Sequence, residues 1–208
     1  MGKSFAQIAF TPLVKKQQVL HDSRSQYERV EQSSRAGDAL TEPEREFILS
    51  RDSFYMATVS ETGWPYIQHR GGEPGFLDVL DDRTIAFADY RGNRQYVSIG
   101  NLEHDERVAL FLMDYPSRSR LKILGRAEVR EGADAQKLIG ELSGPDVRAL
   151  VERAIVIRIE AFDWNCQQYI TPRFTEEQVI KVMTPMRQRL AELEEENKRL
   201  RAELAQQR

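Results

Sequence analysis

The 208-residue chain contains one cysteine, Cys166, and only three histidines. A single thiol excludes an internal disulfide and any multi-cysteine metal site. His21, His69 and His104 are scattered and lack a His-x-Glu or Cys-x-x-Cys companion, so no metal is expected. A surplus of one charge is also missing, since 30 Lys+Arg stand against 33 Asp+Glu for a net −3. Proteins that grip nucleic acid by bulk electrostatics carry an excess of cations, so nucleic acid is not an expected partner. No apolar run approaches the roughly 20 residues a spanning helix needs, which predicts no membrane crossing. Residues 1–10 include Lys3 but no continuous hydrophobic segment with a small-residue cleavage site, and a cytoplasmic location is the default expectation. His21-Asp22-Ser23 holds triad residue types, but adjacent residues do not face one another as a triad must. Gly71-Gly72-x-x-Gly75 lacks the glycine order of a Rossmann dinucleotide site.

What is present falls into three parts. Residues 1–40 read as a polar arm with one short helix between His21 and Arg35. Thr41, Glu42, Pro43 and Glu44 form a helix start, with acidic residues at the positive helix end, and the helix runs to about Ser50. From Asp52 the period becomes that of strands. Phe54, Met56, Thr58 and Ser60 share one face, and Glu61-Thr62-Gly63 turns the chain into Pro65 to Arg70. Further strands are expected at Phe76 to Leu80, Thr84 to Ala88, Arg107 to Met113, Leu121 to Arg130 and Ala154 to Phe162. Helices are expected at Asn93 to Asn101 and Ala133 to Leu142. Short strands separated by turns, with few helices between them, predict an antiparallel barrel over 41–174 in an α+β chain.

The tail, 175–208, differs in kind, for the chain has no glycine after Gly144 and no aromatic in its last 25 residues. Thr184-Pro185 supplies an N-cap and first-turn proline. From there Met186, Leu190, Leu193, Asn197, Leu200 and Leu204 alternate at spacings of four and three, the heptad pattern of a coiled coil. An amphipathic helix packed on its own domain has the same periodicity. Thr175 to Thr184 contain only Lys181 as a base, so a DNA-binding basic region is missing.

The segment Ile67 to Leu102 carries the first candidate site. His69 and Arg70 close one strand, and Arg91, Asn93, Arg94 and Gln95 lie in a glycine-containing strand-to-helix turn suited to a phosphate. A solvated turn paired with Asp89 or Asp105 is the plain alternative. The succession VLDDRTIAFADYRGNRQ, NLEHDERVALFLM and RLKILGRAEV resembles the FMN-binding split barrel of the pyridoxamine 5'-phosphate oxidase-like superfamily, in particular its bacterial flavin-nucleotide-binding branch. The likeness spans about Glu44 to Phe174 and is most specific at Asp89 to Arg94. It implies an antiparallel split β-barrel, FMN as cofactor, and a homodimer with each flavin at the subunit interface. It also implies that His69, Arg70, Asn93, Arg94 and Gln95 hold the phosphate and ribityl chain. Gln95 stands where the family often has a second basic residue.

Phe162 to Phe174, FDWNCQQYITPRF, is the second constellation. A Trp-anchored packing corner explains it structurally. The likeness of its D-W-N-C run to relatives implies that Trp164, Asn165, Gln167 and Gln168 reach a flavin ring across the dimer. Cys166 alone reads as a small buried side chain. The arginine-containing C-terminal substrate motif of true pyridoxamine-phosphate oxidases is absent, leaving Arg173 as the candidate substrate anion clamp. The expected function is an FMN-dependent oxidoreductase acting on a small molecule or electron donor. The alternative is a flavin-binding or sensor protein joined to a partner by its coiled tail.

Overall fold

A computed structural model describes residues 3–33, 39–142, 151–164 and 168–206. The chain divides into two compact units, residues 1–114 with 119–168, and residues 115–118 with 169–208. None of the described helices is long and apolar enough to cross a membrane.

The first unit opens with three short helices where one was expected: α1 (Phe5–Ala9), α2 (Pro12–Leu20) and α3 (Arg24–Ser33). Pro12 occupies the first turn of α2, and the Thr11 hydroxyl caps that helix by accepting from Val14 N at 3.4 Å. At this position proline lacks only an amide that would be orphaned anyway. Glu31 ties the arm together through Lys15 at 2.5 Å and Arg24 at 2.6 Å. The fourth helix, α4 (Glu42–Leu49), follows Thr41.

Seven strands follow: β1 (Ser53–Val59), β2 (Pro65–Gly71), β3 (Leu77–Asp81), β4 (Thr84–Tyr90), β5 (Arg107–Asp114), β6 (Ser119–Arg130) and β7 (Val151–Trp164). They form one antiparallel sheet in the order β2-β1-β5-β6-β7-β4-β3. Helix α5 (Val97–His104) joins β4 to β5, and α6 (Gly132–Leu142) lies between β6 and β7. The sheet curls, because Arg70 of β2 ion-pairs with Asp89 of β4 although β1, β5, β6 and β7 lie between them in the row. Side chains, rather than another strand ladder, make that closure.

Alternation along the strands fills the inside of the curl. Phe54, Met56, Ile85, Phe87, Leu112, Leu121, Ile123, Ile155 and Ile157 are all no more than 1% exposed. Each such side chain stabilises the fold by roughly 1.5–3 kcal/mol on burial, before the entropy of ordering it. Phe54 meets Phe87 edge-on with ring centroids 5.2 Å apart and stacks on Phe76 at 5.6 Å. Strand β4 is buried on both faces because α6 packs its Ala135 and Ile139 on the outer side, beside Ala154.

The long strand β7 bends where its pairing with β6 slips between Leu124 and Gly125. A Cβ at Gly125 would lie 2.7 Å from the Arg158 carbonyl oxygen and 2.8 Å from Ile157 Cγ2. Close backbone approach therefore requires glycine here.

The second unit holds the turn Tyr115–Arg118 and helix α7 (Glu176–Gln206). This helix begins nine residues earlier than Thr184-Pro185 suggested, and Pro185 lies inside it. Thr175 and Gln178 cap the start reciprocally, at 3.0 and 3.2 Å. At the proline, the Thr184 hydroxyl donates to the Ile180 carbonyl at 2.8 Å, restoring a bond to a backbone that has lost one nearby.

Candidate functional site

The period of two along β2 places Tyr66, Gln68 and Arg70 on one face and Ile67 and His69 on the other. The first three face a cavity of about 250 Å³ whose other walls are Asp89, the turn from Tyr90 to Tyr96, the start of α5, and Arg153. Arg70, Asn93, Arg94 and Gln95 are thus brought together. His69 is not among the lining residues; it lies edge-on to Tyr55 with ring centroids 5.5 Å apart, on the opposite face of the strand.

The turn delays the helix. Expected from Asn93, α5 instead starts at Val97, because Gly92 (φ 49°), Arg94 (φ 60°) and Tyr96 (φ 54°) are left-handed. Two of these carry side chains that disfavour this region, so the surrounding contacts must hold them. Asn93 Oδ1 accepts from Gln95 N at 3.3 Å, the Asx turn this residue favours. Backbone that alternates left-handed residues with others is of the kind that can receive an anion. Helix α5 is fixed to the barrel by Asn101 Nδ2, which donates to Thr58 Oγ1 at 2.8 Å in a buried bond. Ser98 Oγ donates to Gln68 Oε1 at 2.7 Å and orients that amide beside the cavity.

Four arginines approach the cavity, and carboxylates hold three of them. Asp89, 4% exposed, pairs with Arg70 and with Arg153 Nη1 at 3.5 Å. Burial pushes the Asp89 carboxyl above its ordinary range, while the two guanidinium charges pull it back. Glu152 accepts from Arg91 at 3.1 Å, from Arg153 at 2.9 Å and from the Tyr96 hydroxyl at 3.1 Å. Glu131 also meets Arg153, at 2.7 Å. Arg94 has no carboxylate partner among the described residues; its Nε donates to the Tyr96 hydroxyl at 3.3 Å. Arg70 Nε is buried with no hydrogen-bond partner among them either. Asp105, the other carboxylate expected near the turn, is engaged with Arg107, which holds its pKa far below the usual range.

An exposed guanidinium without a carboxylate partner among the described residues, beside a left-handed turn, could receive an anion, and Tyr66, Gln68 and Ser98 are groups suited to a polyhydroxyl chain. Sequence reasoning found the turn residues because they are adjacent. It missed Tyr66 and Gln68, for which the strand period at Arg70 was a usable signal. It missed Glu152 and Arg153 because only the pairing of β4 with β7 brings them to the turn.

The second constellation is placed elsewhere. Trp164, at the far end of β7, donates from Nε1 to Glu44 Oε1 at 2.7 Å and meets Phe47 edge-on at 4.8 Å. Within its own chain it is a packing corner against α4, and it is not a lining residue of the cavity. Gln168 is exposed. Asn165, Cys166 and Gln167 lie outside the described residues. Arg173 belongs to the second unit, where its guanidinium lies 5.0 Å from the Tyr115 ring.

A family model described as pyridoxamine 5'-phosphate oxidase matches residues 40–164. Among solved structures, a pyridoxamine 5'-phosphate oxidase candidate from Lactobacillus delbrueckii is 24% identical, with 61% of this chain and 94% of that chain covered and a TM-score of 0.47. HupZ from Group A Streptococcus is 19% identical over 64% of this chain and 100% of its own, with a TM-score of 0.46. A FAD-binding protein from Mesorhizobium loti is 15% identical over 61% and 94%, with a TM-score of 0.43. None of the curated proteins matches the chain.

Proposed function

We propose that this chain, which belongs to the pyridoxamine 5'-phosphate oxidase family, binds FMN in the cavity beside Arg94 and works as a flavin-dependent oxidoreductase. The observation that carries the reading is Arg94, the cavity cation without a carboxylate partner among the described residues, beside the orphaned Nε of Arg70. A phosphate ester gives Arg94 the counter-charge it lacks, whereas a neutral ligand does not.

Arg94 and the amides of the Asn93–Gln95 turn would hold the phosphate, with Arg70 beneath them. Gln68, Ser98 and Tyr66 offer polar groups to the ribityl hydroxyls. Asp89 keeps Arg70 and Arg153 in place without donating a proton to anything. Bound there, FMN supplies the hydride and electron chemistry, and the protein's work is orientation and exclusion of water.

The cavity of about 250 Å³ is smaller than the roughly 300–1,000 Å³ of sites that hold a whole small molecule. One chain accommodates the phosphate end and leaves the ring to a second surface. A homodimer supplies it, and Trp164 at the end of β7, with the residues that follow it to Gln168, is the segment we assign to that role, since along β7 Trp164 stands 11 residues from the cavity residue Arg153.

Titration of FMN into the apoprotein tests the site. Arg94→Ala should weaken binding by roughly tenfold to a hundredfold, with Arg94→Lys in between. Unchanged affinity refutes the assignment. Mixing Arg94→Ala with a chain altered at Trp164 and Asn165 should restore one intact site per heterodimer, and no recovery over either parent refutes sharing. Anaerobic NAD(P)H that bleaches the flavin band supports turnover with a nicotinamide donor.

A further inference from the structure

We infer that α7 is the interface for a second copy of this chain, joined as a parallel, in-register two-stranded coiled coil. The helix has 31 residues, none of them buried. Its apolar side chains are left open: Leu190 is 57% exposed, Leu193 45%, Leu200 46% and Leu204 64%. With Leu190, Asn197 and Leu204 at a, and Leu193 and Leu200 at d, the earlier helix start extends the seam upstream. Met186 and Val179 fall at d and Met183 at a, and these too are exposed. Pro185 then falls at c, on the solvent side of a pair, where its ring meets no partner helix.

Charge decides the occupant. In a parallel pair each g residue faces the e residue five places on in the other helix. Arg189 thereby meets Glu194, and Glu196 meets Arg201. Arg189 and Glu203 at present satisfy themselves within the helix, on Glu192 at 2.9 Å and Arg199 at 3.8 Å, contacts weak enough at the surface to exchange. Asn197 is the only polar residue at a or d between Val179 and Leu204, and it meets another asparagine only when two copies run parallel and in register. An antiparallel copy that aligns Asn197 with Leu200 sets the amide against leucine and Glu196 against Glu203, which leaves the amide unsatisfied and places like charges together, against one attractive pairing of Glu194 with Arg201.

The test uses the full chain carrying single added cysteines, with Cys166 common to all. Under a mild thiol–disulfide buffer, Leu204→Cys should form linked dimers at least roughly tenfold faster than Glu195→Cys, which lies at the outward f position. A mixture of Leu193→Cys with Leu204→Cys, the pair that an antiparallel copy with Asn197 on Leu200 would align, should give no excess of the mixed dimer. Adding Leu193→Glu and Leu200→Glu to Leu204→Cys should abolish its advantage. Preferred mixed dimers mean an antiparallel pair and overturn the inference. Equal rates at Leu204 and Glu195, or an advantage that survives the glutamates, mean that a second copy does not occupy the seam. FMN titration of the same proteins should be unaffected, so failure here and failure of the flavin reading are distinguishable.

Discussion

Replacing Glu44 by glutamine isolates what anchors the end of β7. Glu44 is 7% exposed, and its two oxygens are divided between two elements. Oε1 accepts from Trp164 Nε1 at 2.7 Å, and Oε2 accepts from the Thr41 amide at 3.0 Å and from the Thr41 hydroxyl. Glutamine keeps the shape, and its oxygen still serves Trp164, but its NH₂ then faces the Thr41 amide, donor against donor. Losing one helix-start bond costs about 1 kcal/mol and weakening a charge-assisted bond costs about as much again, discounted because the rim is solvated. A loss of about 2 kcal/mol lowers Tm by roughly 4–8 °C for a chain of this size. The effect should depend on pH. Burial opposes ionisation of Glu44, yet the bonds from Thr41 and Trp164 outweigh it and hold the carboxyl below its ordinary value of 4.5. A depressed carboxyl stabilises the fold above its unfolded pKa, and that contribution disappears as pH falls through the folded pKa. The gap between wild type and Glu44→Gln should therefore be full at pH 7 and shrink below pH 4.5. Thermal melts followed by circular dichroism and by Trp fluorescence measure it. A Tm shift that is negligible, or constant from pH 7 to pH 3, refutes the reasoning.

Other perturbations separate the remaining parts. Gly125→Ala should destabilise the barrel by about 1–3 kcal/mol, read from urea midpoints at unchanged slope, since its Cβ would press on the Arg158 backbone and on the branched Ile157 side chain. His69→Ala should leave FMN affinity within about twofold, whereas Arg70→Met should weaken it by roughly tenfold or more. Arg70→Met should also lower stability, by stranding Asp89 with fewer partners, and combining it with Asp89→Leu should recover much of that loss in urea melts while leaving FMN affinity low. Asn197→Leu should raise the melting temperature of α7 in the full chain while permitting mixed Leu193→Cys and Leu204→Cys dimers that the asparagine suppresses.

The strands were legible in the sequence to the degree that each is covered on one side or two. β1 alternates because one of its faces meets the core, and its register could be read directly. β4 and β7 appear as continuous apolar runs because α6 covers their outer side, so their existence was clear but the reason lay in the fold. One helix start was misread because Pro185 was taken as a boundary. Pro12 begins a helix whereas Pro185 sits inside one, and the difference lies in Thr11, which caps, and Thr184, whose hydroxyl bonds backward along the helix already formed. The delayed start of α5 had no sequence signal, for left-handed Tyr96 is held by Glu152 and Arg153, which come from β7, and Arg94 is bonded in turn to Tyr96. The site shows the same division. Arg94 and Asn93 are neighbours in sequence and were found together, but whether Arg94 is free depends on which arginines Asp89 and Glu152 already hold. A sequence lists four arginines near a turn without ranking them. Sheet order ranks them: β2 and β7 deliver Arg70 and Arg153 to Asp89, β7 delivers Glu152 to Arg91, and Arg94 is left without a carboxylate among the described residues. Which cation is open to a counter-charge is thus set by topology, and a rearranged pairing of β4 with β7 would change the chemistry of the cavity without altering one of its residues.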